Sequence, residues 1–208
     1  MRSCPAGSRA GLGRVPVPDT WLVVADDPTV TCKAYVERLA STVNPRHRRM
    51  LATVIEHDRA ETASDLERTM ATLNAEPEYG RFWGTADVPP KGRAAVRSYY
   101  ADLFARGGIG NLRSDVKRLV LDDYAIIAEF DVTTIWPWRT ARELGCSIDV
   151  ESGHYAIRRP LVTVIPFDEA GKMCGEFSYG GTFSWQRVPD GELSLGYLAW
   201  VKCFLPNA

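Results

Sequence analysis

The apolar positions of the chain change period part-way along it, from helical spacing before Phe104 to long β-rich runs after Asn111. Asp27-Pro28 supplies an N-cap and a first-turn proline, and Val36, Leu39, Ala40 and Val43 then repeat at helical intervals, predicting a short helix to about Val43. Asn44-Pro45 repeats the signal and opens a second helix with Leu51, Val54 and Ile55 on one stripe. Ser64-Asp65-Leu66-Glu67 matches a capping box, so a helix restarts there with Leu66, Met70 and Leu73 buried, and the chain bends near Ala63. "RAAVRSYYADLFARGG" presents Val96, Tyr99, Tyr100, Leu103 and Phe104 before a Gly-Gly stop, predicting a third principal helix.

The second half reads as strands: "LRSDVKRLVL", an Asp122-Asp123 turn, "YAIIAEFDVTTIW", "HYAIRRPLVTVIPF", a "DEAGK" turn and "MCGEFSYGGTFSWQRV". Helices followed by an antiparallel meander predict an α+β fold, a curved sheet with helices on one face and room for an apolar pocket between the layers. Strand parity puts Phe130, Val132, Thr134 and Trp136 on one face and Glu129 and Asp131 on the other; Phe177 and Tyr179 share a face opposite Glu176. The connection over residues 137–154 is long for a hairpin, so it is expected to be either a lid closing the site with Trp138, Arg139, Arg142 and His154 or a solvated loop in which the arginine pair is incidental.

Charge narrows the partners. The 208 residues hold 25 Lys plus Arg against 26 Asp plus Glu, which leaves no basic field to recruit nucleic acid or anionic lipid. The one basic cluster, Arg46 to Arg49, opens a helix and reads as a solvated face. Five scattered cysteines without CxxC spacing argue against a disulfide framework and a zinc site, and fit a reducing cytoplasm. "MRSCPAGSRAGLGRVP" has no continuous apolar run and reads as a leader rather than a secretory signal, and no apolar stretch is long enough to cross a bilayer.

Familiar motifs are set aside in turn. "GGIGNL" lies between a helix and a strand, the wrong order for a dinucleotide fingerprint, and neither a phosphate loop nor a GxSxG elbow occurs. His47, His57 and His154 lack the paired spacing that places two metal ligands on one face, so neither a metal nor a cofactor is expected. What stands out is His57-Asp58 at the edge of the apolar stripe of the second helix, a proton-handling pair whose Asp58 is expected to face the surface or a dimer contact.

"EHDRAETASDLERTMATL", "GRAAVRSYYADLF", "DDYAIIAEFDVTT" and "RRPLVTVIPFDEAGKMCGEFSY", in this order and spacing, resemble the NTF2-like superfamily, in particular its SnoaL-like branch of enzymes related to polyketide cyclases and ketosteroid isomerases. The resemblance divides the chain into a leader and short helix over 1–44, the NTF2-like domain over 45–187 and a tail over 188–208. It implies a cone-shaped α+β barrel enclosing an apolar cavity, commonly in a homodimer. It also implies that His57, eight residues before the bend residue Asp65, is a cavity residue, and that Phe130, Val132, Thr134 and Trp136 face inward. A desolvating pocket is expected to lower the pKa of such a histidine.

The departures matter as well. The isomerase base would fall at Arg81 and its second acid at about Pro160, while the usual cyclase dyad positions hold Trp136 and Gly181. Ketosteroid isomerase chemistry is therefore disfavoured. The reading that remains is a cofactor-independent acid/base enzyme on a small hydrophobic metabolite, performing a cyclisation, isomerisation, dehydration or hydrolysis. His57, Arg81 and Tyr179 are its expected catalytic groups, and Tyr79, Trp83, Tyr99, Phe130, Trp136, Trp138 and His154 its expected substrate contacts. The alternative is a non-catalytic small-molecule-binding or dimerisation module of the same fold, favoured by the missing acids.

Overall fold

The computed structural model describes residues 32–80, 89–107, 109, 111–189, 191–193 and 195–205. Four helices come first: α1 (Lys33–Ser41), α2 (Pro45–Thr62), α3 (Leu66–Thr72) and α4 (Arg93–Ala105). The Asp27-Pro28 signal lies outside the described residues, and α1 starts after Cys32, which gives no side-chain cap. α2 begins as its sequence dictates. The Asn44 side chain accepts from the backbone N–H groups of Arg46 at 2.8 Å and His47 at 3.3 Å, and Pro45 sits where a missing N–H costs nothing.

The bend after α2 differs in detail from the capping box. Ser64 takes the left-handed conformation, φ 51°, that turns the chain, so its hydroxyl is not the cap. Asp65 caps α3 instead, accepting from Arg68 N–H at 3.1 Å, and Glu67 pairs outward with Arg97. At the end of α4, Gly107 adopts φ 102°, the backbone that stops a helix.

The sheet follows: β1 (Leu112–Leu121), β2 (Ala125–Pro137), β3 (His154–Pro166), β4 (Phe177–Gly180) and β5 (Ser184–Val188), with α5 (Trp138–Glu143) between β2 and β3 and α6 (Leu195–Phe204) after β5. The strands run antiparallel in the order β1-β2-β3-β4, β5 pairing with the first part of β3, and the sheet does not close. Residues 173–188, anticipated as one strand, are therefore two. β4 pairs with residues 161–164 and β5 with 154–158, and the break faces Pro160, which has no N–H to offer a continuing ladder.

Inward and outward faces alternate across paired rows. Ile126 opposite Ile165, Ala128 opposite Thr163, and Phe130 opposite Leu161 point to the concave side, where α1 to α4 cover them. Met50, Leu51, Val54 and Ile55 of α2 and Val96 and Tyr100 of α4 fill this main core. Each such side chain removed from water stabilises the layer by about 1.5–3 kcal/mol before entropy is counted. On the convex side Glu129 pairs with Arg118 and Asp131 with Arg158, the outer placement that parity gives them. Val120, Ile127, Val162 and Tyr179 are exposed there.

Two smaller cores occupy the other end of the sheet. α5 packs Ala141 against Cys146, Tyr155 and Ile157. The C-terminal segment, expected as a tail, forms α6 and buries Tyr197 against Ile135, Ala156 and Val188. Among the described residues no helix is long and apolar enough to cross a membrane.

Candidate active site

The concave side encloses a cavity of about 100 Å³. Its apolar wall comes from the sheet and from α4, including Leu103, Val116, Phe130, Val132, Leu161 and Ile165. Its polar wall is acidic. Asp58 and Glu61 reach it from α2 and Glu176 from the residue before β4, beside Tyr35 and the hydroxyls of Ser114, Thr163 and Ser178. The i, i+3 spacing of Asp58 and Glu61 places both on one side of α2.

His57 stands behind these acids, fully buried, and is not itself a lining side chain. The Thr72 hydroxyl donates to the Thr69 carbonyl at 2.6 Å, so its oxygen accepts from His57 Nδ1–H, also at 2.6 Å. Nε2 therefore faces the acids. It lies 3.4 Å from Glu61 Oε1, 3.8 Å from Glu176 Oε1 and 3.0 Å from the Tyr100 hydroxyl, which shares a 2.8 Å hydrogen bond with Tyr79.

The charges follow from this packing. Burial acts to lower the His57 pKa, but Glu61, Glu176 and Asp58 together outweigh it and push it up to about 9, so the imidazole is a cation at neutral pH. The lowered value anticipated for a histidine in an apolar pocket is corrected accordingly. Glu61 is buried too, yet the imidazolium and a hydrogen bond from Tyr100 hold its pKa below the usual carboxylate range. Glu176 goes the other way: burial first, then repulsion from Glu61, raises it to about 7 despite His57. Burial and the neighbouring glutamates also push Asp58 well up. Two carboxylates thus share the Nε2 end of one imidazolium with their pKa values driven apart, the pattern from which acid and base roles are read.

The backbone next to Tyr79 fixes this geometry. Glu78 N–H donates to the Cys174 carbonyl at 2.8 Å and Gly80 N–H to the Glu176 carbonyl at 2.7 Å, so Pro77–Gly80 runs beside residues 174–176. Gly175 lies between them at φ 134°, where a Cβ would sit 1.8 Å from the Glu78 carbonyl oxygen. Only glycine permits the approach.

Of the residues expected at the site, Phe130 lines the cavity, Tyr79 adjoins it through Tyr100, and Tyr99 packs on Tyr100 with ring centroids 5.3 Å apart. Arg81 and Trp83 lie outside the described residues. Tyr179 is corrected: it is 64% exposed on the convex face, because Phe177 and Tyr179 point outward while Glu176 and Ser178 point in. Asp58 moves the other way, from expected surface to cavity wall. Trp136, Trp138 and His154 are corrected as well, since each packs at the far end of the sheet and none is a lining residue. Trp136 Nε1 donates to Thr134 Oγ1 at 2.9 Å, Arg139 and Arg142 each stand 4.9 Å from the Trp138 ring, and His154 meets Tyr197 edge-on at 5.5 Å. The segment expected as a lid is a packed helical turn on the sheet's end.

Sequence reasoning missed Glu61 and Glu176. The signal for Glu61 was present, four residues after His57 on one helix. For Glu176 it was not, because both faces of the last strands carry apolar side chains.

The chain is similar to several solved structures at low identity. They include an epoxide hydrolase/cyclase-like enzyme, SalBIII, from pyran ring formation in polyether salinomycin (14% identity, 65% of this chain and 92% of that one, TM-score 0.44). A putative SnoaL-like polyketide cyclase from Shewanella denitrificans OS-217 is similar at 12% identity (64% and 90%, TM-score 0.46), and an NTF2-like protein from Anabaena variabilis ATCC 29413 at 11% (74% and 98%, TM-score 0.47). At these identities and TM-scores the likeness assigns no role to any side chain. No family model and no curated protein matches the chain.

Proposed function

We propose that this protein is a cofactor-independent acid/base enzyme acting on a small hydrophobic metabolite in the concave cavity. The observation that carries the reading is the pair of cavity carboxylates, Glu61 and Glu176, both beside Nε2 of the buried His57 imidazolium. Glu176, with a pKa of about 7, exchanges its proton with a bound molecule; Glu61 stays ionised. His57 is a positioning residue, held by Thr72 and acting through the two glutamates. Isomerisation, dehydration and cyclisation all need such a proton relay, so the reaction type within this class is left to experiment.

Solvent deuterium exchange tests the reading. Small ketones carrying α-hydrogens are incubated with the protein in deuterated buffer and analysed by mass spectrometry. Exchange above the buffer rate is expected for at least one, with a loss of about 10²-fold in Glu176→Gln. Exchange that survives in Glu176→Gln would remove that residue from the chemistry, and none with any ketone would count against an acid/base enzyme.

One observation favours the second reading, a binding or dimerisation module: the convex face exposes Val120, Ile127, Val162 and Tyr179 across adjacent strands. We propose that this face pairs with a second copy, and sedimentation of the wild type against Tyr179→Glu measures it. A reducing cytoplasm remains the proposed location.

A further inference from the structure

We propose that the cavity takes its ligand as an ammonium ion, a small hydrophobic amine held between Glu176 and Asp58. The inference deepens the reading of this cavity as a binding site and does not depend on chemistry taking place there.

The argument begins with charge. Among the described lining residues there are three carboxylates and no Lys or Arg. The only nearby imidazolium is His57, whose Nε2 lies closest to Glu61. The Asp58 carbonyl accepts from the Thr62 hydroxyl at 2.7 Å, while its carboxylate, part of the wall, accepts no hydrogen bond from the described residues. A carboxylate withdrawn from water must be neutralised, by a proton or by a cation. Burial is the largest cause of the upward shifts of Asp58 and Glu176, so each holds a proton more readily than a carboxyl in water does.

An ammonium group can take the proton's place. Its N–H groups donate to the Glu176 and Asp58 oxygens, Tyr35 and Phe130 offer ring surface, and the aliphatic wall takes the hydrocarbon. The exchange balances: the amine arrives already protonated, the glutamic acid gives its proton to solvent, and an ion pair forms where a neutral acid stood. A carboxylate or phenolate ligand would instead add negative charge to three acids.

The neighbours facing this position are His57 and Glu61 on α2, Tyr35 on α1, Tyr99 and Tyr100 on α4, and Tyr79 beside Glu176. Burial raises the four tyrosine pKa values, so all four stay neutral. His57 holds its charge to about 9 and is matched by Glu61. Glu176, at about 7, and Asp58, pushed well up by burial, therefore set the pH dependence together. Amine binding strengthens as pH rises and these two acids ionise, because the protons to be displaced are then already gone.

The probes are cyclopentylamine, cyclopentanol and cyclopentanecarboxylate, one ring with three head groups, titrated into the full chain and followed by amide NMR shifts at Ser114 and Ser178. At about pH 8 the amine is expected to bind at least about tenfold more tightly than the alcohol, falling about tenfold by about pH 6. Calorimetry in buffers of different ionisation heat should show proton release near neutral pH. Glu176→Gln should reduce the pH dependence and remove the part centred near 7, and Asp58→Asn should weaken amine binding while leaving the alcohol unchanged. Both substitutions keep size and shape, and thermal melting checks that the fold survives. Equal or tighter binding of the alcohol or the carboxylate would overturn the proposal, as would failure of all three probes to bind. Amine binding without deuterium exchange would count against catalysis alone, and exchange without amine preference against this inference alone.

Discussion

The two ends of the concave sheet are built from the same aromatic-rich strands and do opposite things. At one end Asp58, Glu61 and Glu176 share a cavity wall in front of a buried histidine. At the other, Ile135, Trp136 and Tyr155 pack beneath α5 and α6, and the polar tips of Trp136 and Tyr155 are tied locally, Nε1 of Trp136 to Thr134 Oγ1 at 2.9 Å and the Tyr155 hydroxyl to the Val150 carbonyl at 2.8 Å. Buried aromatic side chains of themselves mark no site; buried groups of like charge that must share protons do.

The sharpest way to break this comparison is to remove the histidine. His57→Phe leaves Glu61 without its counter-ion and should cost about 3–5 kcal/mol in urea unfolding, as expected when one partner of a buried pair is lost. Ile135→Ala at the dry end should cost about 2–4 kcal/mol as a cavity and leave the pH profile of stability unchanged. Equal pH profiles in the two variants would mean that the charged cluster does not govern stability.

The next effect is the pH dependence itself. His57 and Glu176 both have folded pKa values above their unfolded ones, so each contributes stability at low pH that is lost as pH rises, Glu176 between about 4.5 and 7 and His57 between about 6.5 and 9. Glu61, held low, acts in reverse and loses its contribution in acid. Stability should therefore peak in mildly acidic solution and fall by an amount on the order of 5 kcal/mol towards pH 9, the loss from Asp58 adding to those of Glu176 and His57, measured as the urea midpoint. Glu176→Gln should flatten the lower part of that fall. The smallest effect sharpens the contrast between faces: Tyr179→Ser should change unfolding free energy of the monomer by no more than about 0.5 kcal/mol.

Much of the fold was legible because its signals are local. Asn44-Pro45 specifies the start of α2, and the run from Leu112 to Leu121 is bounded as the alternation indicates. The bend after α2 was legible as well, though its cap shifts from Ser64 to Asp65 once the turn takes Ser64 into left-handed backbone. The site was less so. His57 could be singled out as a buried polar residue in an apolar stripe, but its charge depends on Glu61 and, across the fold, on Glu176. Parity failed at Tyr179 because the convex face is itself apolar, so alternation alone does not say which side is inside. Aromatic content misled at Trp136, Trp138 and His154 for a related reason: α5 gives Trp138, and α6 gives Trp136 and His154, packing partners of their own.

Gly175 sets a limit of another kind on the cavity. Every acid in the wall has an isostere of nearly the same shape, so its charge can be edited while the architecture stays. Position 175 has none: with the Glu78 carbonyl 1.8 Å from where a Cβ would begin, any side chain drives the Tyr79 segment away from Glu176. In a saturation library the least tolerant position of this region would then be a residue with no functional group, and tolerance would map the backbone's clearance before it mapped the chemistry.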